Sequence, residues 1–346
     1  MRSPGSGAGR LLARARQKAK FQDIVPIAAF IIILAYFSIM SYDQRNGTIR
    51  LLTMLNLNGI LTQVMQTVTI ASGTLFVVSQ GHMDMSVGVN LALSGIMGTW
   101  IATITGRPFL LIPVALLVGL AVGLFNGIIV SKFKVPSFML TLAMLIGVRG
   151  LVNFIQVKIA THRLPKALEF LGAPYAKIPI FVAMFAIMAY IFEFTNVGRY
   201  SKAIGENEVT ARYVGVPVDM MKILAFALSG LMAGAASIFN VATIGSTTQM
   251  MGVFFEMKVI MAIFLGGILV TGGSSARIYK IVLGSVSIEI IINGLAIMGR
   301  SELFISEIVQ GALLLVILAL SAFAGFRAKR PKQLPDEIQP AGPPAI

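Results

Sequence analysis

The charged side chains of this chain of 346 residues gather between long apolar runs, and the few that interrupt those runs are the candidates for chemistry. Asp84 sits in "GHMDMSVG" at 81–88, Glu256 and Glu289 interrupt later hydrophobic stretches, and Arg149 is the conspicuous cation among them. An unpaired charge at the centre of a bilayer costs about 2.5–3.5 kcal/mol on insertion scales. Such groups therefore face a bundle interior, a polar cavity or one another. For Asp84 two roles compete, one on a substrate or ion pathway and one structural. Arg149 and Glu256 read as a structural charge pair.

Enzyme chemistry finds little support. His82 and His162 are the only histidines and there is no cysteine, so no histidine metal cluster, thiolate site or thiol nucleophile can be built. The stretch "GILVTGGS" at 267–274 has the glycine spacing of a phosphate loop, but Gly273 stands where a lysine must reach the phosphates. The chain is expected to be no enzyme, with no catalytic residue, metal or cofactor of its own.

The elements that position these groups are spans. The chain is 56% apolar and 12% charged, with mean hydropathy +0.85, against roughly 25% charged in soluble domains. The formal charge of +14 is concentrated at the ends: Arg2, Arg10, Arg14, Arg16, Lys18 and Lys20 precede the first span, and Arg327, Lys329, Arg330 and Lys332 follow the last. Basic flanks fix cytoplasmic ends, and no interleaved aromatic and basic face suggests nucleic acid.

Apolar runs fall at 24–41, 56–79, 85–104, 108–130, 135–156, 177–194, 221–243, 254–271, 276–298 and 304–323. The expected fold is all-α and polytopic, with about ten transmembrane helices and both termini cytoplasmic; eight spans are the competing count. A basic segment 1–23 precedes the membrane domain 24–325, and a Pro-rich tail 326–346 follows, its composition that of a disordered segment. In "GLAVGLFNG", Gly119, Gly123 and Gly127 share one helix face where backbones can approach. A faint echo links "LALSGIMG" at 91–98 with "FALSGLMA" at 226–233.

"GHMDMSVG" is poor helix, because Gly81 and Gly88 bracket it and Asp84 and Ser86 compete for backbone groups. A break there frees N–H groups that Asp84 can cap. Asp84, Ser86, Asn90, Asn126, Glu289 and Asn293 are the polar residues expected at the substrate pathway or the helix break. The longest polar stretch, 198–219, reads as a helix over 201–213 on the cytoplasmic side, either an interfacial loop helix or a docking helix for a partner.

These motifs together resemble the permease subunit of bacterial ribose/galactose-type ABC sugar importers. "GHMDMSVG" is similar to that family's G-G-I-D-L-S-V-G motif, with His82 for the second glycine. "GLAVGLFNGIIVSKFKVPSFMLTLAM" with "VRGL", then "FEMKVIMAIFLGG" with "INGL", follow in the family's order. "GRYSKAIGENEVTARYVGV" resembles its coupling segment, placing Ala203, Ile204, Gly205, Glu206, Asn207 and Arg212 at the contact with an ATPase. The resemblance implies uptake of a monosaccharide across the bacterial plasma membrane, by a homodimer or a heterodimer with a second permease. The implied partners are a cytoplasmic ABC ATPase and an extracytoplasmic sugar-binding protein. His82, Lys258 and the tail depart from the family pattern. An ion-coupled secondary transporter is the alternative.

Overall fold

The computed structural model describes residues 26–44, 47–159 and 162–298, residue 24, and a few positions between 308 and 315. Its helices are α1 (Pro26–Met40), α2 (Met54–Ser79), α3 (Val87–Thr105), α4 (Leu111–Lys132), α5 (Ser137–Ile159), α6 (Pro174–Phe194), α7 (Asn196–Glu206), α8 (Glu208–Tyr213), α9 (Val218–Ile244), α10 (Phe255–Leu265) and α11 (Ile278–Ile297). A short hairpin, β1 (Tyr42–Asp43) with β2 (Thr48–Ile49), joins α1 to α2. Among the described residues seven helices are long and apolar enough to cross a membrane, and α1 is shorter. The chain is an all-α, multi-pass membrane protein. The expected span 304–323, the basic segment 1–23 and the tail 326–346 lie outside the described residues.

Local sequence sets the helix ends. Gly106 ends α3 and Gly245 ends α9, each in the left-handed conformation (φ 65° and 79°) that closes a helix without steric cost. Pro174 opens α6 at the position where a missing N–H is harmless.

One expected span is not a continuous helix. Only Phe255–Leu265 of the apolar run 254–271 is helical, and eleven residues reach about 16 Å, half of a hydrocarbon core. Gly267, Gly272 and Gly273 then take positive φ, and a single tight turn at Gly273–Ser275 leads into α11. The break has a packing cause. Gly266 lies against the Lys280 carbonyl and Gly284 against the Ala262 carbonyl, so α10 and α11 approach too closely for side chains between them.

The core is built around α2, which is buried on every side from Val64 to Ser79, as a helix surrounded by other helices must be. The most extensive packing joins α4 to α9. There Gly119 faces Gly230 and Gly234, and a Cβ added at Gly119 would stand 2.5 Å from the Gly230 carbonyl oxygen. Gly127 meets Ile223 Cα in the same way, at 2.8 Å. The glycine stripe of α4 is thus a seam between backbones. The two halves of the sequence echo sit in different surroundings: Ser94 donates to Asn90 within its own helix, whereas Ser229 donates across to Asp84.

Candidate functional site

The break between α2 and α3 is held by side chains from three other helices. Gly81 turns the chain out of α2 with φ 77°, and residues 82–86 run without helix to Val87. Ser137 Oγ and Thr141 Oγ1 of α5 accept from the freed N–H groups of Met83 (3.2 Å) and Met85 (3.0 Å). Asp84 Oδ1 accepts from the Ser86 N–H at 3.0 Å and the Ser86 hydroxyl at 2.6 Å, while Oδ2 accepts from Ser229 of α9 at 2.8 Å. Asn126 of α4 donates to Ser86 Oγ at 2.9 Å, and Thr74 of α2 lies 3.3 Å from Ser229 Oγ. Asp84, Ser86, Thr74, Asn126, Ser137, Thr141 and Ser229 are all buried. Asp84 therefore tightens the turn before α3 and ties it to α9. Asn90 stands apart from this network, donating to the Gly119 carbonyl at 3.1 Å and joining α3 to α4.

Glu289 and Asn293 belong to a second network. Glu289 of α11 is fully buried, accepts from Thr67 of α2 at 2.7 Å and pairs with Lys258 of α10 at 3.1 Å. Asn293 donates to the Glu289 carbonyl at 2.8 Å and meets Gln63 of α2 at 3.5 Å. Of the six polar residues expected at one pathway or break, Asp84, Ser86 and Asn126 thus meet at the break, Glu289 and Asn293 meet elsewhere, and Asn90 ties α3 to α4. Lys258, read in the sequence only as a departure from a family pattern, is the counter-ion of Glu289.

Arg149 and Glu256 are neighbours without a direct ion pair. Arg149 donates to the Met251 carbonyl at 2.9 Å, and its charge acts on Glu256 from a distance. Glu256, at the first turn of α10, is packed over Gly88 of α3, with Oε2 unpartnered. The tight fit of Gly88 and Gly252 brings this carboxylate against the α3 backbone, leaving Arg149 a carbonyl as its partner.

The segment 198–219 forms two helices, not the single one expected over 201–213. Asn207 interrupts it, its side chain accepting from the Thr210 N–H at 2.9 Å to cap α8. Gly205 faces inward: a Cβ there would meet the Ser79 carbonyl and the Gly273 N–H. Ile204 is buried as well. Glu206 Oε1 accepts from Ser274, N–H at 2.8 Å and hydroxyl at 2.5 Å. Among the exposed residues are Ala203, Glu206, Asn207 and Arg212, together with the larger apolar Val209, Tyr213 and Val214, of which Tyr213 is 88% accessible. Arg212 pairs with Asp219 at 3.0 Å.

The same end of the bundle has anchors that the sequence did not disclose. Glu193 closes α6, pairs with Lys202 at 2.8 Å and accepts from the Ile278 N–H at 3.1 Å, capping α11. Lys222 of α9 pairs with Glu208 at 2.9 Å. His82 sits beside them with Nδ1 3.3 Å from Ser137 Oγ. Burial, and then the nearby Lys222 charge, push its imidazole down to about 4, so it is neutral at physiological pH. His82, Lys134, Ser137, Glu208 and Lys222 line a cavity of about 450 Å³ that is open to the surface.

Two interrupted helices, buried polar networks and a paired-helix segment at one end define a transport protein built around a membrane bundle. The chain belongs to the family described as "Branched-chain amino acid transport system / permease component", which it matches over residues 56–318. It is similar to the ribose import permease protein RbsC of Escherichia coli K12, 29% identical over 315 residues that cover 87% of this chain and 94% of that protein. It is also similar to the L-arabinose ABC transporter permease protein AraH of Azospirillum brasilense, 32% identical over 300 residues (82% and 85%). With the D-allose transport system permease protein AlsC of Escherichia coli K12 it shares 30% identity over 295 residues (84% and 88%). No solved structure matches the chain.

Proposed function

We propose that this chain is the transmembrane permease subunit of an ATP-driven importer for a monosaccharide, in the bacterial plasma membrane. A separate cytoplasmic ATPase energises it, an extracytoplasmic sugar-binding protein loads it, and a second permease, identical or different, completes the pathway. The three relatives named above import ribose, arabinose and allose by name, which favours a sugar over the amino acid of the family's description.

One observation carries the reading: the α7–α8 segment touches both helix interruptions. Gly205 and Glu206 abut the end of α2 and the turn at Gly273–Ser274, while Glu208 and Lys222 flank His82. A force on this segment reaches both broken helices through short, packed contacts. The same end carries Lys132, Lys134, Arg199, Lys202, Arg212, Lys222, Arg277 and Lys280, which supports a cytoplasmic orientation. The ATPase-facing surface is then the exposed Val209, Tyr213 and Val214, with Ala203, Asn207 and Arg212 around it. Ile204 and Gly205 transmit motion from within, and Glu206 does so at the surface through Ser274.

Ion coupling has less support. Asp84 is satisfied by hydroxyl and N–H donors and Glu289 by a lysine, so neither is a free acid awaiting a cation.

The test is uptake of labelled D-ribose, L-arabinose and D-allose by vesicles holding the permease and its ATPase, with the binding protein outside. Uptake that requires ATP and survives an ionophore supports the reading. Uptake that needs no ATPase and follows a sodium or proton gradient overturns it.

A further inference from the structure

Most exposed side chains of the spanning helices are apolar, as lipid demands, but among the described residues one group of polar side chains from three helices is partly exposed together. Gln63 of α2, Lys258 of α10 and Asn293 of α11 are each half-buried, contiguous, and polar. Beneath them lie Thr67 and Glu289, near the middle of their helices. A half-exposed amide or ammonium at membrane depth does not face hydrocarbon, because each unsatisfied group there costs several kcal/mol.

The hydrogen-bonding inventory is also incomplete. The Lys258 ammonium has three N–H donors, and among the described residues its polar partner is Glu289. The Gln63 amide reaches Asn293 only at the long limit of 3.5 Å. The Lys258 ammonium and the Gln63 and Asn293 amides thus keep unused hydrogen-bonding capacity, beside an ion pair with no net charge.

We propose that Gln63, Lys258 and Asn293 line the water-filled path of the substrate, where a neutral ion pair offers hydrogen bonds to the hydroxyls of an uncharged polyol. This rests on the importer reading and narrows it. Lys258 and the two amides touch the substrate. Glu289, with no exposed surface, is a positioning residue that holds the Lys258 ammonium in place. An anionic sugar acid would compete with Glu289 for Lys258 and stall in the path, whereas a neutral sugar leaves the pair intact.

The chain has no cysteine, so single cysteines report cleanly. Gln63→Cys and Asn293→Cys in vesicles should react with a small cationic methanethiosulfonate at least an order of magnitude faster than Leu117→Cys, Ile146→Cys or Ile187→Cys. Those three controls are exposed apolar positions on other helices. Lys258→Arg, which keeps the charge, should retain uptake of the three sugars, whereas Lys258→Met should lose most of it. Glu289→Gln should raise KM more than it lowers the maximal rate. Reaction at Gln63→Cys and Asn293→Cys as slow as at the controls overturns the proposal. Spontaneous Asn293→Cys cross-linking between two copies, with the reagent excluded, also overturns it by making this a packed dimer interface. Labelling does not depend on transport: fast reaction of Gln63→Cys and Asn293→Cys, in a protein whose cysteine-free parent shows no ATP-driven uptake, would remove the importer reading and leave the aqueous path standing.

Discussion

Glu206 and Ser274 join two segments 68 residues apart, with one carboxylate oxygen accepting from both the backbone N–H and the hydroxyl of the serine. Those two bonds hold the Glu206 carboxyl below its ordinary value, the hydroxyl contributing most. A depressed folded value gives stabilisation that is complete above the unfolded value of about 4.3 and is lost as pH falls through the folded one. Thermal stability of the purified parent should therefore fall more steeply below about pH 4.3 than that of Glu206→Gln. Near neutrality Glu206→Gln should insert normally and lose part of its transport, because an amide oxygen accepts these bonds more weakly than a carboxylate. Parallel melting curves at both pH values would remove Glu206 from the link.

Gly205 and Tyr213 separate fold from partner contact. Any side chain at Gly205 meets the backbone of Ser79 and Gly273, which cannot yield as a flexible side chain would. Overpacking typically costs about 1–3 kcal/mol, so Gly205→Ala should lower the melting temperature and Gly205→Trp should yield little folded protein. Tyr213→Ala removes a ring that covers nothing in this chain, and should leave the melting temperature unchanged while weakening recovery of the ATPase in a pull-down. An unchanged pull-down with Tyr213→Ala and Val214→Ala combined would move the docking surface elsewhere.

Much of this architecture is legible in hydropathy, and the exceptions share a cause. The ends of α2, α3, α6 and α11 fall within a few residues of the apolar runs, since a change of solvent is written locally. The break at 80–86 was also legible, because Gly81, Asp84 and Ser86 disfavour helix wherever they stand. The break after α10 was not: Gly266 is ordinary in a membrane helix until Lys280 and Gly284 press against it. Likewise the periodicity of 201–213 suits one amphipathic helix, and only the Asn207 cap divides it. Which apolar points of that segment meet its own chain and which meet a partner depends on neighbours far along the sequence. The same holds for Lys258, whose counter-ion is 31 residues away across a non-helical connection, while a pairing judged by depth alone joined Arg149 to Glu256.

Asp84 is open to a direct separation of charge from hydrogen bonding. In Asp84→Asn the amide oxygen can accept from Ser86, and the amide nitrogen can donate to Ser229, whose hydroxyl then turns toward Thr74. Expression and transport should stay near parental levels. Asp84→Ala leaves the Ser86 N–H and two hydroxyls without their acceptor, and a buried unsatisfied group costs about 1–3 kcal/mol. That variant should melt earlier and be recovered in lower yield by size-exclusion chromatography. An Asn variant that folds well and transports poorly would show instead that the negative charge itself serves transport.

The seam between α4 and α9 makes a final comparison within one residue type. At Gly230 an added Cβ would meet the Gly119 carbonyl and stand 2.8 Å from Gly123 Cα, so Gly230→Ala can be accommodated only by parting two helix backbones. At Gly147 on α5, by contrast, nothing lies within 4 Å of the added carbon. Alanine is the better helix former by roughly 0.8–1 kcal/mol, and at Gly147 no contact opposes that preference. Gly147→Ala should therefore raise the melting temperature in detergent or leave it unchanged, whereas Gly230→Ala should lower it by an amount typical of overpacking, about 1–3 kcal/mol in stability. Because α9 also carries Ser229, the partner of Asp84, parting the seam should loosen the break before α3. A cysteine at Met85, buried in the parent, should then label faster in the Gly230→Ala background than in Gly147→Ala. Equal melting temperatures for the two variants would mean that α4 and α9 are not held together at their backbones.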